Sequence, residues 1–126
     1  MKQLFVLAFL CFGIAAFSQT KNDVKFTAMK HTFGKITQNK PVTYTFTFKN
    51  ASASKPLIVE SATAQCGCTT PEYPKTPIKK GKSGTIKVTY NAAAMGAFTK
   101  TVTVKFANIA EPITLTIDGE VVAATN

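Results

Sequence analysis

Val42-Thr43-Tyr44-Thr45-Phe46-Thr47-Phe48-Lys49 alternates a large apolar side chain with threonine or lysine at every step. Successive side chains of an extended backbone point to opposite faces. Val42, Tyr44, Phe46 and Phe48 therefore share one face and the threonines the other. On a helix the same aromatics would scatter around the circumference. The β-branched threonines also favour an extended backbone. The stretch predicts a strand with one buried and one solvated face.

The same period recurs on either side. Ile86, Val88 and Tyr90 alternate with Lys87 and Thr89; Val102, Val104 and Phe106 with Thr103 and Lys105; Ile113, Leu115 and Ile117 with Thr114 and Thr116. Val24 to Thr27 reads as a first strand, and Pro56-Leu57-Ile58-Val59 begins another. Phe33-Gly34-Lys35-Ile36 reads as a short turn with two apolar anchors. About seven short strands, each apolar on one face, predict an all-β, immunoglobulin-like antiparallel β-sandwich. A parallel α/β sheet would be apolar on both faces of its strands. Ala92-Ala93-Ala94 is the only plausible helical turn. Asn50-Ala51-Ser52 matches a glycosylation sequon and reads as an ordinary turn.

Residues 1–18 have a different character. Lys2 precedes an apolar run, Leu4 to Phe17, which closes on Ala16-Phe17-Ser18. This is the layout of a cleaved secretory signal peptide, and the run is short for a membrane span. Residues 19–126 are then expected to form a single exported domain, periplasmic or secreted, with no membrane span after cleavage. Cys11 goes with the leader, leaving Cys66 and Cys68 in a compartment where thiols tend to pair.

The chain carries 15 basic residues against 6 acidic ones, a formal charge of +9, and every basic residue is lysine. The bidentate fork that grips phosphate and reads guanine belongs to arginine, so nucleic acid is not the expected partner. An anionic glycan or an envelope protein fits better. No cofactor is implied, and the domain is expected to be a monomer.

From Thr69 to Lys82 the chain carries Pro71, Pro74, Pro77 and Gly81, with Tyr73 and Ile78 between. This spacing predicts an extended, hydrogen-bond-poor connection over the surface. Connections this long in compact domains are often functional, although a sandwich also needs crossovers between its sheets. Thr69, Pro71, Tyr73, Lys75, Ile78, Lys79, Lys80 and Lys82 are the candidate binding residues.

Cys66-Gly67-Cys68 opens the connection and is the one constellation of reactive side chains. Several states are open: a local disulfide, a redox pair, a soft-metal site of the copper(I) type, or two idle thiols. A disulfide here closes a very short ring, worth only about 1.5 kcal/mol in the chain-entropy picture, and would mainly stiffen the loop. Thiol oxidoreductases place their cysteines at a helix N-terminus, and Pro71 and Pro74 preclude a helix after Cys68. Met29, His31 and Met95 are the further possible ligands. A closed zinc site wants four nitrogen or sulfur ligands, more than Cys66, Cys68 and His31 supply. The carboxylates show no acid–base spacing, and there is no phosphate-binding glycine loop.

Phe33-Gly34-x-Ile36, Phe46-Thr47-Phe48-Lys49-Asn50, Pro56-Leu57-Ile58, Cys66-Gly67-Cys68-Thr69-Thr70-Pro71, Lys100-Thr101-x-Thr103-Val104 and Leu115-Thr116-Ile117-x-Gly119-Glu120-Val121 follow in one order. Together they resemble the bacterial family catalogued as domain of unknown function 1573, from about Phe26 to Val121. The resemblance implies an immunoglobulin-like domain of the hydin and PapD-like type and carries no established activity. Lys80-Gly81 stands where the family usually has Pro-Gly, and Asn50-Ala51 where Asn-x-Gly is common. The function expected is a non-enzymatic binding or structural module of the cell envelope. The alternative is a thiol-dependent protein that uses Cys66 and Cys68 for a soft metal or for redox.

Overall fold

The structure is a computed structural model and describes residues 21–124. The expected signal peptide, residues 1–18, lies outside them. A 3₁₀ turn, Lys21–Asp23, precedes eight strands: β1 Val24–Phe26, β2 Lys30–Thr37, β3 Val42–Asn50, β4 Val59–Ala64, β5 Thr69–Glu72, β6 Ser83–Tyr90, β7 Gly96–Phe106 and β8 Ile113–Val122. They form two four-stranded sheets, ordered β1-β3-β6-β5 and β2-β8-β7-β4.

The period-two strands form where the alternation predicts them. Phe46, Phe48, Ile86, Val88 and Tyr90 come from the first sheet. Val102, Val104, Phe106, Leu115 and Ile117 come from the second, and all ten are at most 2% exposed. Phe48 meets Phe106 edge to face across the sandwich with centroids 5.3 Å apart, and Tyr90 stacks on Phe98 at 4.1 Å. Both are favourable aromatic geometries and tie the two sheets together.

The chain departs from the sequence expectation in several places. The described residues form eight strands where about seven were expected, and one pairing, β2 with β8, is parallel. The first strand changes sheets partway along: β1 pairs with β3, the chain crosses at residues 27–29, and β2 continues on the other sheet. Phe33 to Ile36 belongs to β2, where a bulge between Thr32 and Lys35 replaces the expected turn. Gly34 takes φ +74° there, a conformation that favours glycine. The bulge brings the Gly34 carbonyl so close to Gly119 that a Cβ on Gly119 would lie 2.7 Å from it.

Of Pro56 to Val59, only Val59 is in a strand. Leu57 instead makes an isolated bridge to Ile78. Residues 91–95 form an irregular loop, in which Ala92 is fully buried with φ +57°. The largest departure concerns the supposed long connection. Its first four residues are β5, an edge strand pairing with β6 from Thr69↔Tyr90 to Glu72↔Lys87. Pro71 is tolerated because the Cys68 carbonyl accepts from Asn91 N–H, so alternate residues 68, 70 and 72 face β6 and the nitrogen of Pro71 faces outward.

Candidate functional site

The sequence expectation joined the cysteines and the lysines in one loop. The register of β5 separates them. Cys66, Gly67 and Cys68 form the turn from β4 to β5, and this turn is where the chain passes from the second sheet to the first. It lies at the end of the sandwich where β6 finishes. Lys79, Lys80 and Lys82 lie where β6 begins, seven residue steps away, or roughly 20 Å along an extended chain.

At the cysteine end, Cys66 and Cys68 form a close pair with sulfurs in bonding contact and Cα atoms 5.3 Å apart. Thr69 N–H closes the turn on the Cys66 carbonyl at 3.3 Å. Thr69 is only 3% exposed, and its Oγ1 sits 4.0 Å from the Cys66 sulfur and 3.7 Å from that of Cys68. The threonine after the pair therefore faces the sulfurs and not solvent. Asn91 N–H to the Cys68 carbonyl, 3.0 Å, ties the turn to the β6–β7 loop. Thr101 holds it from the other sheet, through N–H and Oγ1 to the Gln65 side-chain oxygen.

Among the described residues, no three His, Cys, Asp or Glu side chains gather in a metal-holding group. His31 lies on β2, stacked on Tyr44 at 3.8 Å and edge-on to Phe33 at 4.7 Å. Met29 precedes β2, and Met95 is exposed in the loop before β7.

The lysine end is organised by a residue that the sequence reading passed over. Asn50, 1% exposed, continues the inward series of β3 into the base of the loops. Its N–H donates to the Lys82 carbonyl at 2.9 Å, and its carbonyl accepts from Gly81 N–H at 3.0 Å. Its Nδ2 donates to the Lys55 carbonyl at 2.8 Å and the Ile78 carbonyl at 2.9 Å, while Oδ1 accepts from Ser52 N–H at 2.9 Å. One buried amide thus joins the β3–β4 loop to the β5–β6 connection. Reciprocal backbone bonds between Leu57 and Ile78, 2.8 and 2.7 Å, add a second tie. Gly84 leaves room for Phe48 and Ile78; a Cβ there would lie 2.5 Å from the Phe48 ring.

Ile78 is therefore an anchor, half-buried against the core. Lys55, Lys75, Lys79, Lys80 and Lys82 are exposed around it. Lys75 Nζ lies 3.4 Å from the Tyr73 ring centroid, within cation–π range. Glu72, Tyr73, Pro74, Thr85 and Lys87 line a shallow depression beside this end.

This architecture defines the chain as an immunoglobulin-like β-sandwich. It belongs to the family described as "Protein of unknown function (DUF1573)", whose match covers residues 24–121. A comparison with curated proteins found no match. Among solved structures, a protein of unknown function from Porphyromonas gingivalis W83 is similar, with TM-score 0.67 and 16% identity over 87% of this chain and 51% of that one. The VesB protease of Vibrio cholerae is similar at TM-score 0.63 and 16% identity, over 79% of this chain and 32% of that one. The ASH/PapD-like domain of human CEP192 gives TM-score 0.63 and 10% identity, over 82% and 87%. The chain thus spans about half the length of the first and a third of the second. At these identities the likeness is one of fold.

Proposed function

We propose that the protein is an exported, non-enzymatic binding module of the cell envelope whose contact face is the lysine end of the sandwich. The partner of that face is an anionic glycan or an acidic patch on an envelope protein. The observation that carries this reading is Asn50: a buried side chain whose polar atoms hold two lysine-bearing loops against the core. Binding by a loop fixed beforehand loses little conformational entropy, so a modest number of charged contacts can suffice.

The cysteine turn has a structural part in this reading. In an oxidising compartment Cys66 and Cys68 are joined, and the disulfide stiffens the point where the chain changes sheets. Intact mass of the exported protein without reductant, short by the mass of two hydrogens, is the expected result.

A uronic-acid polysaccharide is a suitable probe for the lysine face. Binding should weaken as ionic strength rises, and should be lost when Lys75, Lys79, Lys80 and Lys82 are all replaced by alanine. Salt-independent binding, or binding unchanged in that variant, would overturn the assignment of the face.

The rival reading is a thiol-dependent protein, and it draws on the half-buried sulfurs beside the Thr69 hydroxyl. It requires free thiols in the exported protein, or an added metal mass in the native spectrum.

A further inference from the structure

We propose that the uncovered edge of β3, at Thr43 and Thr45, is a strand-addition site for an acidic extended segment of another protein. The site arises because the first strand changes sheets. β1 covers β3 only from Phe48 to Asn50, and the last bond on that side runs from Thr27 N–H to the Thr47 carbonyl at 3.0 Å. Asn50 N–H points to Lys82 beside β6, and backbone direction alternates along a strand. Tyr44, Phe46 and Phe48 therefore bond to β6, while Thr43 and Thr45 face the open side. Among the described residues, the backbone N–H and C=O groups of Thr43 and Thr45 have no partner.

The other edges carry features that oppose pairing. β5 has Pro71, and its Thr69 N–H is turned onto Cys66. β2 is interrupted by its bulge, β4 by one beside Glu60, and β1 is three residues long. The open stretch of β3 has no bulge, proline or charge.

Its surroundings specify the occupant. Inward-facing side chains of an added strand would descend on the half-buried rings of His31, Phe33 and Tyr44, so these positions call for apolar residues. Outward-facing ones would join a row that contains Lys87, opposite Thr45. Exposed Lys40 stands at one end of the slot, and Lys25 opposite Lys49 at the other. Like charges placed directly opposite each other are unfavourable, and carboxylates nearby relieve them. With 15 basic and 6 acidic residues, a second copy of this chain would be repelled where an acidic segment is attracted. Main-chain bonds would supply affinity and the alternating side chains specificity. This site uses none of Lys75, Lys79, Lys80 and Lys82, the lysines assigned to the other face.

The probe is a synthetic peptide alternating valine and glutamate, with a valine–lysine counterpart as control. Amide hydrogen exchange on the wild-type chain should slow at Thr43 and Thr45 when the glutamate peptide is added. Thr45→Pro removes only an outward N–H, leaves the β6 ladder intact, and should weaken peptide binding about tenfold or more. Replacing the four loop lysines should abolish polysaccharide binding while the protection at Thr45 remains, which separates the two sites. Lack of binding by the glutamate peptide, equal binding of the lysine peptide, or unchanged affinity in folded Thr45→Pro would overturn the proposal. So would a dimer that protects the same amides without peptide. The exchange measurement stands even if Thr45→Pro does not fold.

Discussion

Asn50 and Ile78 are 28 residues apart in the chain, and the Asn50 side-chain amide donates to the Ile78 carbonyl at 2.9 Å. The same amide serves Lys55 and Ser52, and its backbone serves Gly81 and Lys82. Both amide hydrogens and the side-chain oxygen are used, so a 1%-exposed polar group is fully satisfied.

Replacing Asn50 with alanine would remove the bonds to the Lys55 and Ile78 carbonyls and strand the Ser52 N–H, while the Ile78 carbonyl keeps its bond from Leu57 N–H. Leaving buried groups unpaired costs more than the bonds themselves contribute, and about 2–4 kcal/mol of stability should be lost. Urea denaturation measures the loss, and hydrogen exchange at Leu57 and Ile78 should accelerate beyond the change in the sheet amides. A variant as stable as wild type would contradict the hub role. The buried position also makes the Asn50 sequon unsuited to a glycan.

Cys66→Ser and Cys68→Ser should each lower stability by only about 1.5 kcal/mol, because the ring closed by the pair is so short. For a domain of this size that shifts the melting temperature by roughly 5–10 °C, and reductant should do the same to the wild type. The loss should be felt most at Asn91, whose N–H rests on Cys68. Unfolding of either variant would mean that the turn carries far more than its loop entropy.

The fold was legible where period two is strong. β3, β6, β7 and β8 each bury alternate side chains, so their pattern and their burial say the same thing. β5 was not legible, because Thr69-Thr70-Pro71-Glu72 has no apolar alternation and its proline reads as a strand breaker until its nitrogen is known to face outward. The split of the candidate site followed from that miss, since only register places Thr69 beside Tyr90 at the far end of β6. Asn50 did leave a signal. It extends the inward series Val42, Tyr44, Phe46, Phe48, and a polar residue on a core face must find partners. The parallel pairing of β2 left none, because it depends on a sheet change that the local sequence does not encode.

Gly119→Ala tests that parallel pair. The added Cβ would meet the Gly34 carbonyl at 2.7 Å and the Phe98 ring at 2.9 Å, and the carbonyl is backbone already held at positive φ. Overpacking of this kind costs about 1–3 kcal/mol, and β2 should exchange its amides faster than β7. Unaltered melting and exchange would show that β2 shifts freely, and that the glycine contact does not set its position.

Asp118 gives the pH-dependent test. Its carboxyl accepts from Thr32 and lies 3.2 Å from Lys30 Nζ, which also attracts it electrostatically. The Thr32 hydrogen bond and the Lys30 contact favour the ionised form and hold its pKa below the ordinary carboxylate value. A group depressed on folding contributes its stability above the unfolded-state pKa and loses it as pH falls through the folded one. Asp118 should therefore support β2 on β8 at neutral pH and release that support only in acid. Asp118→Asn should flatten this part of the acid stability profile by removing a small stabilisation at neutral pH, small because the Lys30 side chain is 64% exposed. Carbon-detected NMR titration of the Asp118 carboxyl reads the shift directly. A midpoint at or above the ordinary value would remove the argument, and with it the idea that Lys30 and Thr32 pin the β2 edge from outside the core.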